Sequence, residues 1–577
     1  MRSMRSIAIG ALFGLICAAC AGTASTPRSS SRTGQEAAPS KTLVVATRAE
    51  PPSLNPKPFR PLGLTADLSA RIFNAGLTIP NENGGPVPYL AQSVPQLNSD
   101  SWRVSPDGRM QTTYHLKPGI TWHDGQPLTA DDFVFSFEVF STPALGAGGG
   151  PPISLMDGVT APDPETVAIE WKRTFPYANE LQAGTGGTIP GAFPPLPRHL
   201  LGQALQTEDA EAFMANPFWV SGYVGAGPYK LDRWETGAFF EASAFAGHIL
   251  GKPKIPRIRE LFIPDPNTVV ANILAGEAQL TSGDSIRFND GETLRAQWGD
   301  QGKILNSPNL VRIIQFQRRP EFASTLAFGD LRVRQALHYG VDFDSLNEAV
   351  QGGRTTPAVG PIPTTASYYK QLDQAAAHYP YDPKKTEQLM TEAGFAKGAD
   401  GVWVSPDPRF GRMGFELNVI ASPDSDNEMH INAATWRTLG FDIREVDWSP
   451  AQAADNEWRN SFPGLSTPSV PVGEGSLTDY RSDRVPSADN RWFGGNRGGW
   501  SGTPAFDRLV DVWETSLDRD ERTQAVIQMV KILTDDCVNI NLYWKLNAQA
   551  VANGVTGPRI TDPNGSADWN IHEWEYR

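Results

Sequence analysis

Residues 105–133 decide the fold. The stretch opens on Ser105-Pro106-Asp107-Gly108, continues through residues 114–125 (YHLKPGITWHDG) and ends on Leu128-Thr129-Ala130-Asp131-Asp132-Phe133. Asp107-Gly108 and Asp124-Gly125 are turn dipeptides beside alternating, strand-type runs. The second turn feeds a helix. Thr129 stands in the cap position and Asp132 three residues on, which is capping-box spacing. Phe133, Phe137 and Phe140 recur at i, i+4 and i+7, so the spacing predicts one buried helix face. Pro143 ends the helix.

Outward from this stretch, strands and helices mix. A β-type run, Thr42–Thr47 (TLVVAT), precedes a proline-rich turn, Glu50-Pro51-Pro52-Ser53-Leu54-Asn55-Pro56. Residues 144–152 (ALGAGGGPP) read as a mobile loop, and residues 166–171 and 229–234 as strands. Residues 267–274 read as a short helix, and Asp330 opens another over 331–339. Asp382-Pro383 supplies a cap and an N1 proline to a helix that Gly394 closes. Asp518 and Glu521 open a long helix with apolar positions at Val526, Met529, Val530 and Leu533. A strand over 538–544 follows. The mixture predicts α/β or α+β layers, with no internal repeat.

The chain has 577 residues, which at ~100–200 residues per domain predicts several domains. Hydrophobic residues are 40 % and charged residues 20 %, an ordinary globular balance that excludes polymer-like and coiled-coil classes. Lys plus Arg is 50 against 64 Asp plus Glu, a formal charge of −14. An acidic chain without a basic block argues against a nucleic-acid partner. Three Cys make neither a disulfide framework nor a Cys-rich zinc site.

The N-terminus reads as an address. Arg2 and Arg5 precede an uncharged apolar run at residues 7–19, which is shorter than the ~20 residues that span a bilayer. Ala18 and Ala19 then precede Cys20. This resembles a bacterial lipoprotein signal, with Cys20 the lipidated first residue of the mature chain. Cys17 stands where such signals usually carry Leu, and a plain secretory signal is the alternative. The segment from Cys20 to residue 41 is rich in Ser, Thr, Ala and Pro and is expected to be a flexible tether. Loss of residues 1–19 takes two Arg and moves the charge from −14 to −16. The expected place is the outer face of the cell membrane, anchored by lipid alone.

Motifs for chemistry are absent from the sequence. There is no Gly-x-Ser-x-Gly, no His-Glu-x-x-His and no phosphate loop. His115 and His123 have no metal-site spacing and read as structural. Asp424-x-Asp426-x-Glu428 begins like a calcium loop, but Met429 stands where Gly is needed, so it reads as a solvated turn. Arg332 and Arg334 read as helix-surface residues in salt bridges, and Cys537 as a small buried residue. The sequence therefore points to no enzyme activity, no catalytic residues, no metal and no cofactor.

Several segments together resemble the extracellular solute-binding proteins of ABC importers, in particular the dipeptide- and oligopeptide-binding type, family 5. Besides residues 105–133, they are Pro52-Ser53-Leu54-Asn55-Pro56, Pro88-Tyr89-Leu90-Ala91, residues 225–231 (GAGPYKL), residues 330–337 (DLRVRQAL), Tyr381-Asp382-Pro383, Glu392-Ala393-Gly394-Phe395 and residues 504–509 (PAFDRL). Their co-linear order covers residues 43–557. The resemblance implies a two-lobed α/β clamp, its lobes joined by two crossover strands, with an extra domain inserted in the first lobe. Lobe I would comprise residues 42–80, 222–310 and 545–577, the inserted domain residues 81–221, and lobe II residues 311–544.

The resemblance also implies function. Such proteins close by a hinge on a small solute, here an oligopeptide, and deliver it to the permease and ATPase subunits of the importer. The chain is expected to be a monomer. Thr478-Asp479-Tyr480 matches a motif whose acid pairs with a peptide amino terminus, so Asp479 is the anchor candidate, with Tyr480 beside it. The Gly-Trp usual upstream is Gly475-Ser476-Leu477 here. Asn496, Trp500 and Trp492 would border the pocket, the tryptophans stacking on the solute. Glu50, Ser53 and Leu54 would face the cleft from lobe I, where backbone groups could pair with an extended ligand. Relatives with this fold take nickel chelates, haem, glutathione or oligosaccharides, so other cargo, or a signalling role without transport, stays open.

Overall fold

The strand Thr42–Thr47, legible in the sequence, lies parallel to Arg257–Phe262 on one side and Leu280–Thr281 on the other. From there a single sheet runs through the molecule. Toward one edge lie Phe239–Ala244 and Tyr229–Glu235. Toward the other come the two long strands Asn539–Ala552 and Gly302–Phe316, then Leu465–Ser466, Gly414–Ile420 and Asp442–Trp448. The computed structural model describes residues 41–57, 67–82, 84–146, 150–183, 192–283, 285–490, 492–559 and 568–577. The signal at residues 1–19, Cys20 and the tether up to residue 40 lie outside the described residues. Among the described residues no helix is long and apolar enough to cross a membrane.

The two long strands lie side by side in the middle of this sheet. They pair antiparallel from Gly302↔Ala552 to Gln315↔Asn539. The register slips between Ser307 and Leu310, and again between Val311 and Ile313. Pro308 lies in the first slip. It has no N–H for the ladder, so the pairing is weakest there. The strand expected over 538–544 is therefore the first half of a longer element, Asn539–Ala552.

Apolar clusters fall on either side of this joint. One runs from Leu43 through Phe133, Trp171 and Phe240 to Trp574, so the core of residues 81–221 is continuous with that of the flanking segments. Another holds Ile314, Phe328, Leu417, Trp436 and Ile540. A third holds Leu477, Trp500, Phe506, Val526, Met529 and Val530. In this last cluster the helix Arg519–Asp535 buries the positions its periodicity marks, and Asp518 caps it by accepting from Asp520 N at 2.8 Å.

The helix read from residues 129–140 forms as Ala130–Ser141 with its capping box: Asp132 Oδ2 accepts from Thr129 N at 2.9 Å. Asp132 also accepts from Trp122 Nε1 at 3.2 Å and Arg198 N at 3.1 Å, tying the cap to the turn before it. Its buried arc is wider than one stripe. Phe133 and Phe140 are buried, Phe137 is half-buried, and Phe135 is buried beneath the Arg198 guanidinium, 5.5 Å from the ring. A helix packed on the strands Met156–Asp163 and Thr166–Trp171 of a separate four-stranded sheet, and also on the helix Arg198–Thr207, buries two faces, which spacing in one segment cannot signal.

Two further readings change. Asp424, Asp426 and Glu428 are not a solvated turn; they lie in the helix Pro423–Thr438, capped by Ser422. Glu428 is fully buried, 2.9 Å from Arg312 Nε, and accepts from the Tyr543 hydroxyl. Arg332 does bridge Asp330 at the surface, at 2.6 Å. Arg334, however, is buried, donating to the carbonyls of Phe328 and Asp536 and to Asp536 Oδ1 at 2.6 Å. Its charge is matched by residues some 200 positions later, beyond the reach of a local pattern. His123 is structural as expected: its Nδ1 accepts from Gly225 N at 3.2 Å, its Nε2 donates to Gly227 O at 3.0 Å, and burial holds its pKa at about 4.

Candidate functional site

On the first-lobe side the expected contacts are engaged in the protein's own structure. Glu50 accepts from Trp234 Nε1 at 2.6 Å and from Gly237 N at 2.9 Å. Ser53 Oγ accepts from Asn55 N at 3.0 Å. Leu54 is 1 % exposed; its N–H donates to Trp219 O and its carbonyl accepts from Asn74 Nδ2, both at 2.9 Å. With both backbone groups used, Leu54 cannot pair with an extended ligand as expected, because a buried turn satisfies its own polar groups.

The second-lobe side is built on the short helix Glu474–Tyr480 and the glycine-rich loop at 493–500. Leu477 and Tyr480 anchor the helix in the core, and the Tyr480 hydroxyl accepts from Asn539 Nδ2 at 2.6 Å. The loop packs directly on this helix. A Cβ on Gly495 would stand 2.3 Å from Asp479 Cγ, and one on Gly498 2.2 Å from Phe316 O, so only glycine fits at either position. Asn496 is buried and staples the loop, accepting from Trp500 N at 2.8 Å and donating to Trp500 O at 2.7 Å. Trp500 is 4 % exposed, edge-on to Phe506, with Nε1 donating to Asp536 Oδ2 at 2.7 Å. Its ring and that of Tyr480 are core, not stacking platforms. Trp492 is half-buried at φ 60, edge-on to Phe322.

Asp479 differs from all of these. It is exposed, and among the described residues its carboxylate has no hydrogen bond and no ion pair. Surrounding protein nevertheless desolvates it and raises its pKa, while Arg484 and Arg497 oppose the shift. Arg497 is its counterpart. Burial, reinforced by Arg459, lowers its pKa to about 10, and its side chain has no partner among the described residues. Arg459 donates to Asn456 Oδ1 at 3.1 Å but leaves its Nε buried without an acceptor. Arg319 donates to Pro486 O at 2.8 Å and Arg497 O at 2.9 Å, so one arginine fixes the backbone that presents another. The sequence reading missed these arginines. Arg497 had one signal, its place between glycine pairs; Arg319, Arg459 and Arg484 are scattered and had none.

The other end of the same helix touches the 81–221 segment. Glu474 accepts from Trp513 Nε1 at 2.7 Å, from the Tyr177 hydroxyl at 3.3 Å and from the Tyr368 hydroxyl. Beside it Arg173 bridges Glu514 at 2.7 Å, and Thr174 Oγ1 donates to Thr515 O at 2.6 Å. This contact joins residues 173–177 to the helix Glu474–Tyr480 and to residues 513–515. A separate, broad groove of ≈ 910 Å³ on the first-lobe surface, between Ile79, Val87, Leu250 and Trp569, contains none of the expected site residues.

These features give a mixed α/β fold in which a pair of long antiparallel strands runs through one sheet, with charges lacking ion pairs near the contact at Glu474. The family model for bacterial extracellular solute-binding proteins, family 5, matches residues 92–478, and the chain belongs to that family. It is 28 % identical over 301 residues to a Brucella ovis protein whose name ties it to ABC transporter peptide binding. That match covers 52 % of this chain and 51 % of the relative, so the chain spans about half the length of the relative it matches. It is 24 % identical over 553 residues to the dipeptide-binding protein of Escherichia coli, covering 91 % of this chain and 93 % of that one. A crystal structure of the oligopeptide-binding protein of Thermus thermophilus with a pentapeptide has a similar fold, at TM-score 0.76 and 21 % identity over 93 % of this chain and 96 % of that one.

Proposed function

We propose that the chain is the solute-capturing component of an ABC importer, closing on a peptide-like solute outside the membrane and handing it to the permease. The observation that carries this reading is Asp479: an accessible, desolvated carboxylate with no hydrogen bond or ion pair among the described residues, held on a short helix whose other end touches residues 173–177. An ammonium is the partner such a group lacks. Relatives named as dipeptide- and peptide-binding, and the pentapeptide in the Thermus structure, support peptide as cargo. Closure would bend the long strands near Pro308, with lobe I at 42–80, 222–310 and 545–577, the inserted domain at 81–221 and lobe II at 311–544. The protein would act as a monomer, without a catalytic step, anchored through lipid on Cys20.

Native mass spectrometry of residues 21–577, purified without denaturation, tests the cargo. A ladder of adducts with short-peptide masses, lost on unfolding, is the expected result. One sharp non-peptide mass would overturn the peptide reading and leave the clamp. For the anchor, Cys20→Ala is expected to move the protein from the membrane fraction to the soluble fraction.

A further inference from the structure

The wall around Asp479 carries more positive charge than an amine anchor needs. Three guanidinium groups, Arg459, Arg484 and Arg497, have no ion pair among the described residues, and Asp479 is the one carboxylate that shifts Arg497. Neighbouring arginines are matched: Arg481 with Asp511 at 2.6 Å and Asp483 at 3.3 Å, and Arg318 with Asp536 at 3.7 Å. The excess is local, in a chain whose formal charge is −14. Arg459 and Arg497 also repel each other, and the Arg459 Nε is buried without an acceptor. Like charges held together in a hemmed-in site are destabilising unless an anion joins them. The loop is built to hold them there. Gly495 lets the chain lie against Asp479, Arg319 grips the Arg497 carbonyl, and Asn496 staples the turn.

We infer that this wall reads a zwitterionic end of the solute, with its amine against Asp479 and a carboxylate of the same terminal residue against Arg497. The cargo class is then a peptide-like molecule whose first residue carries a free carboxylate. Two chemistries supply one: the side chain of an N-terminal Glu or Asp, or the α-carboxylate of a γ-linked glutamyl residue. Arg459 and Arg484 add to the field without fixing geometry. The inference rests on the reading of Asp479 as the amine anchor.

Calorimetric titration with Ala-Ala, Glu-Ala, γ-Glu-Ala and N-acetyl-Glu-Ala tests it. Glu-Ala or γ-Glu-Ala is expected to bind at least ~10-fold tighter than Ala-Ala, the scale of one charge-assisted hydrogen-bonded contact. Which of the two leads identifies the source of the carboxylate. In Arg497→Gln that ratio is expected to fall below ~2-fold, and in Arg497→Lys to survive in part, because a point charge remains without the fork. Melting curves of both variants verify that they fold. Equal affinity for Ala-Ala and Glu-Ala in the wild type, or a ratio unmoved by Arg497→Gln, would overturn the inference and leave the peptide reading intact. If N-acetyl-Glu-Ala binds as well as Glu-Ala, Asp479 is not an amine anchor and both fall, as they do if none of the four binds.

Discussion

The two walls named by sequence differ in what their polar groups are doing. At residues 50–54 the Glu50 carboxylate, the Ser53 hydroxyl and both Leu54 backbone groups are held by the protein itself. At residues 474–500 the polar groups divide: Glu474, Asn496 and the Trp500 indole are engaged, whereas Asp479, Arg484 and Arg497 are not. Satisfied groups give position, and groups without hydrogen bonds or ion pairs are free to meet a solute. On the proposed reading the first wall is scaffold and the second recognises the solute.

The largest expected effect tests the second wall. Asp479→Ala should weaken binding of an unblocked peptide by ~100-fold, the cost of truncating one side of a desolvated charge pair. Calorimetry reads the loss. Stability should hold or rise, because the wild-type carboxylate is desolvated without a partner; a lower melting temperature would mean that Asp479 is scaffold after all.

A second carboxylate without a partner sharpens the comparison from the first lobe. Glu260 is fully buried, neither oxygen has a hydrogen bond among the described residues, and burial followed by Asp568 raises its pKa from 4.5 to about 8. Unlike Asp479 it faces core, so its effect falls on folding. The unfolded chain releases this proton above pH 4.5 and the folded chain keeps it to about pH 8. Between those values the unfolded state binds fewer protons, so stability falls as pH rises, by up to ~1.4 kcal/mol per unit, and is flat above. Glu260→Gln should remove that slope: equal to wild type at pH 4, and more stable by up to ~5 kcal/mol at pH 8 in urea melts.

A smaller effect is expected at the contact between the halves. Glu474→Ala leaves the Trp513 indole and the Tyr177 and Tyr368 hydroxyls without their acceptor. Affinity should fall by ~10-fold through loss of the closed form, and the radius of gyration with ligand, from small-angle scattering, should rise. An unchanged radius would make Glu474 a local brace. The smallest effect belongs to the first wall. Glu50→Gln should lower stability by ~1 kcal/mol and leave peptide affinity within about threefold. A large loss of affinity there would break the contrast.

How far the sequence could be read depended on the distance between partners. The capping box at Thr129 and Asp132, the cap at Asp518 and the strand at residues 42–47 all formed where local patterns put them. Asp479 stood in its motif, yet nothing in the motif showed that its carboxylate has no hydrogen bond or ion pair among the described residues. Arg497 stood in a quoted run, yet nothing in the run showed that its guanidinium lacks a partner. Trp500 looked like a stacking surface until Asp536 and Phe506 took it into the core. Glu428 looked solvated until Arg312, 116 residues earlier, paired with it.

By itself the sequence determined the elements, their caps and turns, the α/β class and the family resemblance, because those rest on interactions a few residues apart. The tertiary structure decided which charges are engaged and which are left open. Glu50 meets Trp234 across 184 residues and Arg319 meets the Arg497 carbonyl across 178. Whether a polar group is satisfied depends on what folding brings to it, so recognition had to be read from the folded chain.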